Sequence, residues 1–210
     1  MEVDEEGFVS FDIAAMATRE SYRLLVAAVA PRPIALVSTV STDGVRNLAP
    51  FSFFMAGGAN PLSLAVSPLL NSRTEAKDTL ENVRATGEMV VNVVTWPIRE
   101  GTNAASAEVG PEVDEWELAG FTATDSHLVR PQRVAESPIS MECRLFTVVS
   151  HGSGPLSANY IIAEVVRIHV SSSVMSGGQI DPLRVDYIGR MAGDWYCRAA
   201  PESMFELKRP

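Results

Sequence analysis

The sequence predicts a mainly β protein with short helices, an antiparallel β-barrel of about six strands. Three observations carry that prediction. Short β-branched or apolar runs recur along the chain, each bounded by Gly, Pro or Asp-Gly turn signals. Helical patterns are few and brief. No βαβ alternation is present, nor the GxGxxG or GxxxxGK[ST] phosphate loops of doubly wound nucleotide folds. Across 210 residues this makes one domain, long enough to bury a core without staples. Residues 1–19 are expected as an N-terminal arm, 20–197 as the barrel domain and 198–210 as a tail.

The elements follow in order. Thr18 can cap a helix through Tyr22, Leu25 and Val26 that ends before Pro31. Pro31 and Pro33 keep the backbone extended around Arg32, or simply stop the helix. Residues 34–40 are rich in β-branched side chains and read as a strand. Thr42-Asp43-Gly44 is a hairpin signal, and residues 45–55 form the return strand. Gly57-Gly58 breaks that strand, and residues 62–67 form another, so that 34–67 reads as an antiparallel meander. Asp78-Thr79-Leu80-Glu81 resembles a capping box with Asp78 at the cap. Its helix places Leu80 and Val83 on one face and stops at Gly87. Residues 89–95 are a strand, whereas 102–107 and 114–119 are short helices, the second ended by Gly120. Strands at 140–149 and 160–170 follow. From Pro182 onward the chain reads as loop, with a short element around 190–196.

Charge and composition exclude several functions. Lys and Arg number 17 against 26 Asp and Glu, a net charge of −9. So acidic a chain is ill suited to nucleic acid or an anionic membrane, because phosphate contacts dominate such affinity. A small anionic ligand in a locally positive pocket stays open. Cys143 and Cys197 have no CxxC companion, which argues against a disulfide scaffold or a multi-cysteine zinc site. The acidic N-terminus lacks the basic start of a secretory signal, and no apolar run approaches the roughly 20 residues of a membrane span. A cytoplasmic location is expected.

Chemistry-bearing residues are first notable by what they do not form. His127, His151 and His169 have no metal-ligand spacing, so no metal site is expected. His169 reads as a half-buried strand residue, and His127 and His151 as loop residues. No GxSxG elbow exists, and Asp114-Glu115 reads as a solvated helix start. The positive signal is polarity inside strands that should be apolar. Ser38, Thr39 and Ser41 end the first strand, and Asn47, Pro50 and Ser52 interrupt the second. Ser72, Arg73, Lys77 and Thr79 surround the capped helix start, a plausible phosphate cradle. Asn47-Leu48-Ala49-Pro50 would let backbone approach a flat ring.

The run Pro31-Arg32-Pro33-Ile34-Ala35-Leu36-Val37-Ser38-Thr39, then Asp43-Gly44 and Asn47-Leu48-Ala49-Pro50-Phe51-Ser52-Phe53-Phe54, resembles the flavin reductase family. Lys77-Asp78-Thr79 with Asn82, the stretch Thr86 to Asn92, Asn103 with Ser106, and Asp114-Glu115-Trp116 match in order. So do Val134 to Pro138, Glu142-Cys143, Ala163 to Val166, and Arg190-Met191-Ala192-Gly193 with Tyr196. The resemblance covers about residues 20–197. It implies a six-stranded FMN-binding split barrel, working as a homodimer with FMN near the subunit interface. Carried over to this chain, it implies cofactor contacts from Arg32, Ser38, Thr39, Asn47, Ala49, Pro50 and Ser52. Ser72, Arg73, Lys77 and Thr79 would hold the phosphate, and Asn103 and Arg190 are further cofactor contacts that the resemblance implies. No catalytic side chain is expected, because hydride passes from NADH or NADPH to flavin N5 and the chemistry belongs to the cofactor. FAD could replace FMN, and a flavin-dependent monooxygenase could receive the reduced flavin. Two rival readings are a non-catalytic FMN electron carrier and a split-barrel module for another cofactor.

Overall fold

Seven strands share one antiparallel sheet in the computed structural model, which describes residues 3–107, 109 and 113–209. They are β1 (Ala35–Val40), β2 (Arg46–Phe51), β3 (Phe54–Ala59), β4 (Leu62–Val66), β5 (Glu88–Val93), β6 (Ile139–His151) and β7 (Ala158–Val170). Their order across the sheet is β2-β1-β5-β6-β7-β4-β3. The two edge strands are consecutive in the chain, joined only by Ser52-Phe53. Two linking residues hold the sheet's edges within about 10 Å. The sheet is thus curled into a barrel with one seam that the chain spans but no ladder closes.

This corrects the meander expected over 34–67. β1 pairs with β2 and β3 pairs with β4, yet the two hairpins lie at opposite ends of the sheet. The strand expected over 45–55 ends at Phe51, turns a corner, and restarts at Phe54. Gly57-Gly58 does not break it but lies within β3, at an irregularity in the register with β4. A Cβ on Gly57 would sit 2.7 Å from Ser63 Oγ, so glycine here permits a close strand approach. β6 and β7 have 13 residues each, longer than expected, and two register shifts let them bend with the barrel.

Helices decorate the barrel: α1 (Thr18–Ala28), α2 (Asp78–Thr86), α3 (Arg99–Ala104), α4 (Glu115–Ala119) and α5 (Pro182–Val185). Thr18 is the first helical residue of α1 rather than its cap; Ala17 holds the cap position, and Glu20 reaches back to the Ala17 amide at 3.4 Å. Lys77, not Asp78, precedes α2, and no side chain caps it. The helix expected at 102–107 lies at Arg99–Ala104, started by the turn Trp96–Ile98. Asp114 caps α4, and Gly87 and Gly120 end their helices at φ of 72° and 68°. Near the C-terminus, β8 (Ile188–Arg190) and β9 (Tyr196–Arg198) form a hairpin, and α5 lies where loop was expected.

Two cores flank the β1–β2 ladder. Val37, Val66, Leu80, Val83, Met89, Val91 and Ile161 fill the barrel under α2, all fully buried. Leu36, Leu48, Val94, Trp116 and Ile188 pack on the opposite face of the ladder. The period-two alternation of strand side chains therefore assigns each residue of β1 and β2 to one core or the other.

Candidate functional site

That alternation divides the strand residues singled out in the sequence. Thr39 stands opposite Asn47 and Val37 opposite Ala49, on the α2 side. Ser38 opposes Leu48 and Leu36 opposes Pro50, on the other side. Ser38 Oγ donates to the Gln132 carbonyl at 2.5 Å, fastening the 125–134 loop behind the ladder.

On the α2 side, four polar side chains satisfy one another. Asn47 Nδ2 donates to Thr39 Oγ1 at 3.0 Å and to Thr79 Oγ1 at 2.9 Å. Asn82 Nδ2 donates to the same Thr39 oxygen at 3.1 Å. Thr39, Asn47 and Thr79 are buried. Each would cost roughly 1–3 kcal/mol if left unpaired, so the network ties α2 to β1 and β2. Asn82 was visible in the sequence only as a motif companion of Lys77.

The approach to α2 is the opposite case. Ser72, Arg73 and Lys77 are exposed. The turn before the helix is organised by Asn71, which the sequence reading missed. Its Oδ1 accepts from the Arg73 and Glu75 amides at 2.8 and 2.9 Å, and its Nδ2 donates to Glu75 Oε2 at 2.9 Å. Thr74 sits inside this turn at φ 66°, a left-handed conformation that is strained for a β-branched residue. Lys77 Nζ lies 5.9 Å from the Phe51 ring centroid. The first amides of any helix lack intrahelical acceptors, and its N-terminus is the positive dipole end. With no side-chain cap on α2, these amides, two cations and the Ser72 hydroxyl form a donor set suited to phosphate. Asp78 and Glu81, both in the first turn, are its two opposing charges.

Phe51, under Lys77, is followed by the corner residue Ser52, and Ser52 opens onto a groove of about 860 Å³. Its walls include Tyr22 and Leu25 of α1, Phe53, Phe54, Val66 and Tyr160. Tyr22 and Phe53 meet edge to face, centroids 6.2 Å apart. Ser67 also lines the groove, and its buried Oγ has no hydrogen-bond partner among the described residues. Arg32 is at the rim, buried, with Nη1 donating to the Val26 and Val29 carbonyls at 2.6 and 2.5 Å. Burial pulls its pKa down, the nearby Tyr22 opposes that, and Arg190 adds to it.

Two expected residues stand elsewhere. Asn103, exposed on α3, lines neither the groove nor the α2 approach; its carbonyl accepts from Ser106 Oγ at 2.6 Å. Arg190 pairs with Arg32 through both backbone hydrogen bonds, while its guanidinium lies over Tyr196 at 4.5 Å. Trp116 is a core anchor, with Phe121 packed against its cluster, and Trp195 is exposed.

The histidines add no second site. His151 ends β6 rather than lying in a loop, and it is exposed. His169 Nε2 meets Glu142 Oε1 at 2.6 Å, and the His127 ring packs edge-on against His169 at 4.9 Å. Glu142 also accepts from the His127 and Leu128 amides at 2.8 and 2.6 Å. Burial pushes the Glu142 pKa up, but the His127 amide, His169 and the Leu128 amide outweigh it and hold the carboxyl below its ordinary range. Cys143 is buried, and burial raises its thiol to about 12, so it is chemically quiet. Among the described residues no cluster of His, Cys, Asp and Glu could hold a metal, and no helix is long and apolar enough to cross a membrane.

Comparison with known proteins draws these features together. The model of the flavin reductase like domain matches residues 28–184. An uncharacterised protein of Halalkalibacterium halodurans is 37% identical over 197 residues, covering 93% of each chain. The solved structure of nitrilotriacetate monooxygenase component B from Bacillus cereus superposes with a TM-score of 0.89 at 32% identity, covering 95% of this chain and 98% of that one. The 2-nitrobenzoate 2-nitroreductase of Pseudomonas fluorescens superposes with a TM-score of 0.86 at 25% identity, covering 96% of both.

Proposed function

The chain belongs to the flavin reductase like domain family, and from that premise we propose that it is an FMN-binding NAD(P)H:flavin oxidoreductase. The observation that carries this reading is continuity. Lys77 Nζ, at the phosphate-suited helix entry, lies 5.9 Å from the Phe51 ring, and the next residue, Ser52, lines an apolar groove large enough for a ring system. The bound flavin would supply the redox chemistry, accepting a hydride from NADH or NADPH. The chain's residues bind and orient. Lys77, Arg73, Ser72 and the first amides of α2 hold the phosphate. Thr39, Asn47 and Thr79 brace α2 against the ladder on the side of Ala49, while Pro50 faces the other side. Ser52 and Arg32 set the rim, and the apolar walls exclude water. FAD is the alternative flavin, and the cytoplasm is the proposed location.

A homodimer completes the site in this reading. β3 is an edge strand whose residues from Met55 to Ala59 are exposed, and Leu25, Met55 and Tyr160 around the groove are exposed large hydrophobics. Edges and apolar patches of this kind are covered in stable proteins. The likeness to a monooxygenase component B supports delivery of reduced flavin to a partner monooxygenase.

An anaerobic NADH titration of the FMN-loaded protein tests the activity. Bleaching of the flavin band at one NADH per flavin, faster than for free FMN, is the expected result. A tightly bound flavin that NADH and NADPH leave oxidised would replace this reading with the electron carrier. Failure to take up flavin would leave a module for another cofactor.

A further inference from the structure

Among the described residues, Arg32 is the one charged residue lining the groove. It is 6% exposed and has no carboxylate within salt-bridge distance among the described residues. Its hydrogen bonds go to neutral acceptors: the Val26, Val29 and Met191 carbonyls, and Ser52 Oγ at 3.3 Å. The facing residue across the backbone pair is a second cation, Arg190. The carbonyls at the C-terminus of α1 offer about half a charge in compensation. Nη2 uses one of its two hydrogens, on Met191 at 3.0 Å. A buried cation in an apolar cavity costs folding free energy unless a counter-charge meets it. Among the described residues none supplies it, although acidic residues outnumber basic ones in the sequence.

We propose that Arg32 is the counter-charge for the reduced flavin, favouring reduction of the ring in the groove. This rests on the flavin reductase reading and adds an electrostatic role to it. The charge balance is simple. Hydride carries two electrons and one proton from the nicotinamide, which leaves as the oxidised cation, and the ring becomes one negative charge richer. An oxidised ring is neutral, so a fixed cation attracts it weakly; after hydride transfer the same cation faces an anion. Arg32 thereby binds the two redox states unequally, which is the condition for shifting an equilibrium. Four hydrogen bonds hold the guanidinium in place beforehand, so little reorganisation accompanies the charge.

The test compares affinities for oxidised and reduced FMN, together with the midpoint potential of the bound flavin. Wild-type protein should bind reduced FMN about tenfold more tightly than oxidised, the scale of one partly buried charge. That ratio equals a potential about 30 mV above free FMN for a two-electron couple. Arg32→Gln should abolish the difference, and Arg32→Lys should keep most of it. Equal losses of affinity for both redox states in Arg32→Gln, with the potential unchanged, would overturn the proposal and leave Arg32 a staple between α1 and Met191. Should Arg32→Gln fail to fold, wild type decides: reduced FMN bound no more tightly than oxidised overturns it as well. Binding of oxidised FMN to wild type is read separately, and its absence would remove the flavin reading itself.

Discussion

The two sides of the α2 N-terminus use polar residues in opposite ways. Behind it, Thr39, Asn47, Thr79 and Asn82 bond to each other and are mostly buried. In front of it, Ser72, Arg73 and Lys77 are exposed, and no side chain caps the helix. Equal polarity in the sequence thus serves two purposes. Inward groups hold helix to sheet, and outward groups stay available to a ligand. Glu142 is the extreme of the inward kind, a fully buried carboxylate with three donors on it.

Substitutions can break this comparison. The largest effect is expected at Glu142. Glu142→Ala leaves the His127 and Leu128 amides and His169 without their acceptor, a loss on the order of 3 kcal/mol in urea unfolding. The same group sets a pH dependence. Its folded pKa is depressed, so its contribution is complete above the unfolded value of about 4.3. That contribution is lost as pH falls below that value, through the folded pKa, because the unfolded chain then binds the proton first. Wild-type stability should drop in that acid range, and Glu142→Gln should flatten the drop.

Asn47→Ala comes next. It leaves Thr79 Oγ1 without its side-chain partner and takes one of two donors from Thr39, which keeps Asn82, and should cost about 2 kcal/mol of stability by thermal or urea melting, with a smaller change in FMN affinity. The reverse order, affinity falling while stability holds, would move Asn47 to the ligand side. Lys77→Ala should do what Asn47→Ala does not. Its loss should weaken FMN binding by about 1–3 kcal/mol while the melting curve stays within experimental scatter, since the side chain is exposed. The smallest effect is expected at Thr74. Thr74→Gly should relieve a left-handed β-branched residue and raise stability by under about 1 kcal/mol. A decrease would mean that Asn71 does not hold the turn in the glycine variant.

Much of this was legible in the sequence because it is local. Asp43-Gly44 marks a hairpin by its own backbone preferences, and the β1–β2 ladder forms there. Leu80 and Val83 face the core as their spacing requires. What was not legible depends on distant partners. Ser52-Phe53 contains no glycine or proline, yet the strand turns there because the barrel must close between β2 and β3. Gly57 looked like a breaker, and its reason is Ser63 on the next strand. Thr39 and Asn47 were conspicuous as polar residues in strands, but only their three-dimensional partners distinguish a network from a binding surface. Asn71 carried no signal because its role is entirely in the turn it organises.

The most direct measurement compares riboflavin with FMN on wild type and on Lys77→Ala. The two ligands share the ring and ribityl chain and differ only in the phosphate. If the α2 entry and the groove are two parts of one site, wild type should bind FMN at least about tenfold more tightly, the scale of one charged hydrogen bond. Lys77→Ala should remove most of that margin and leave riboflavin binding alone. Equal affinity of wild type for riboflavin and FMN would contradict the account, because the phosphate would then lie away from the helix entry.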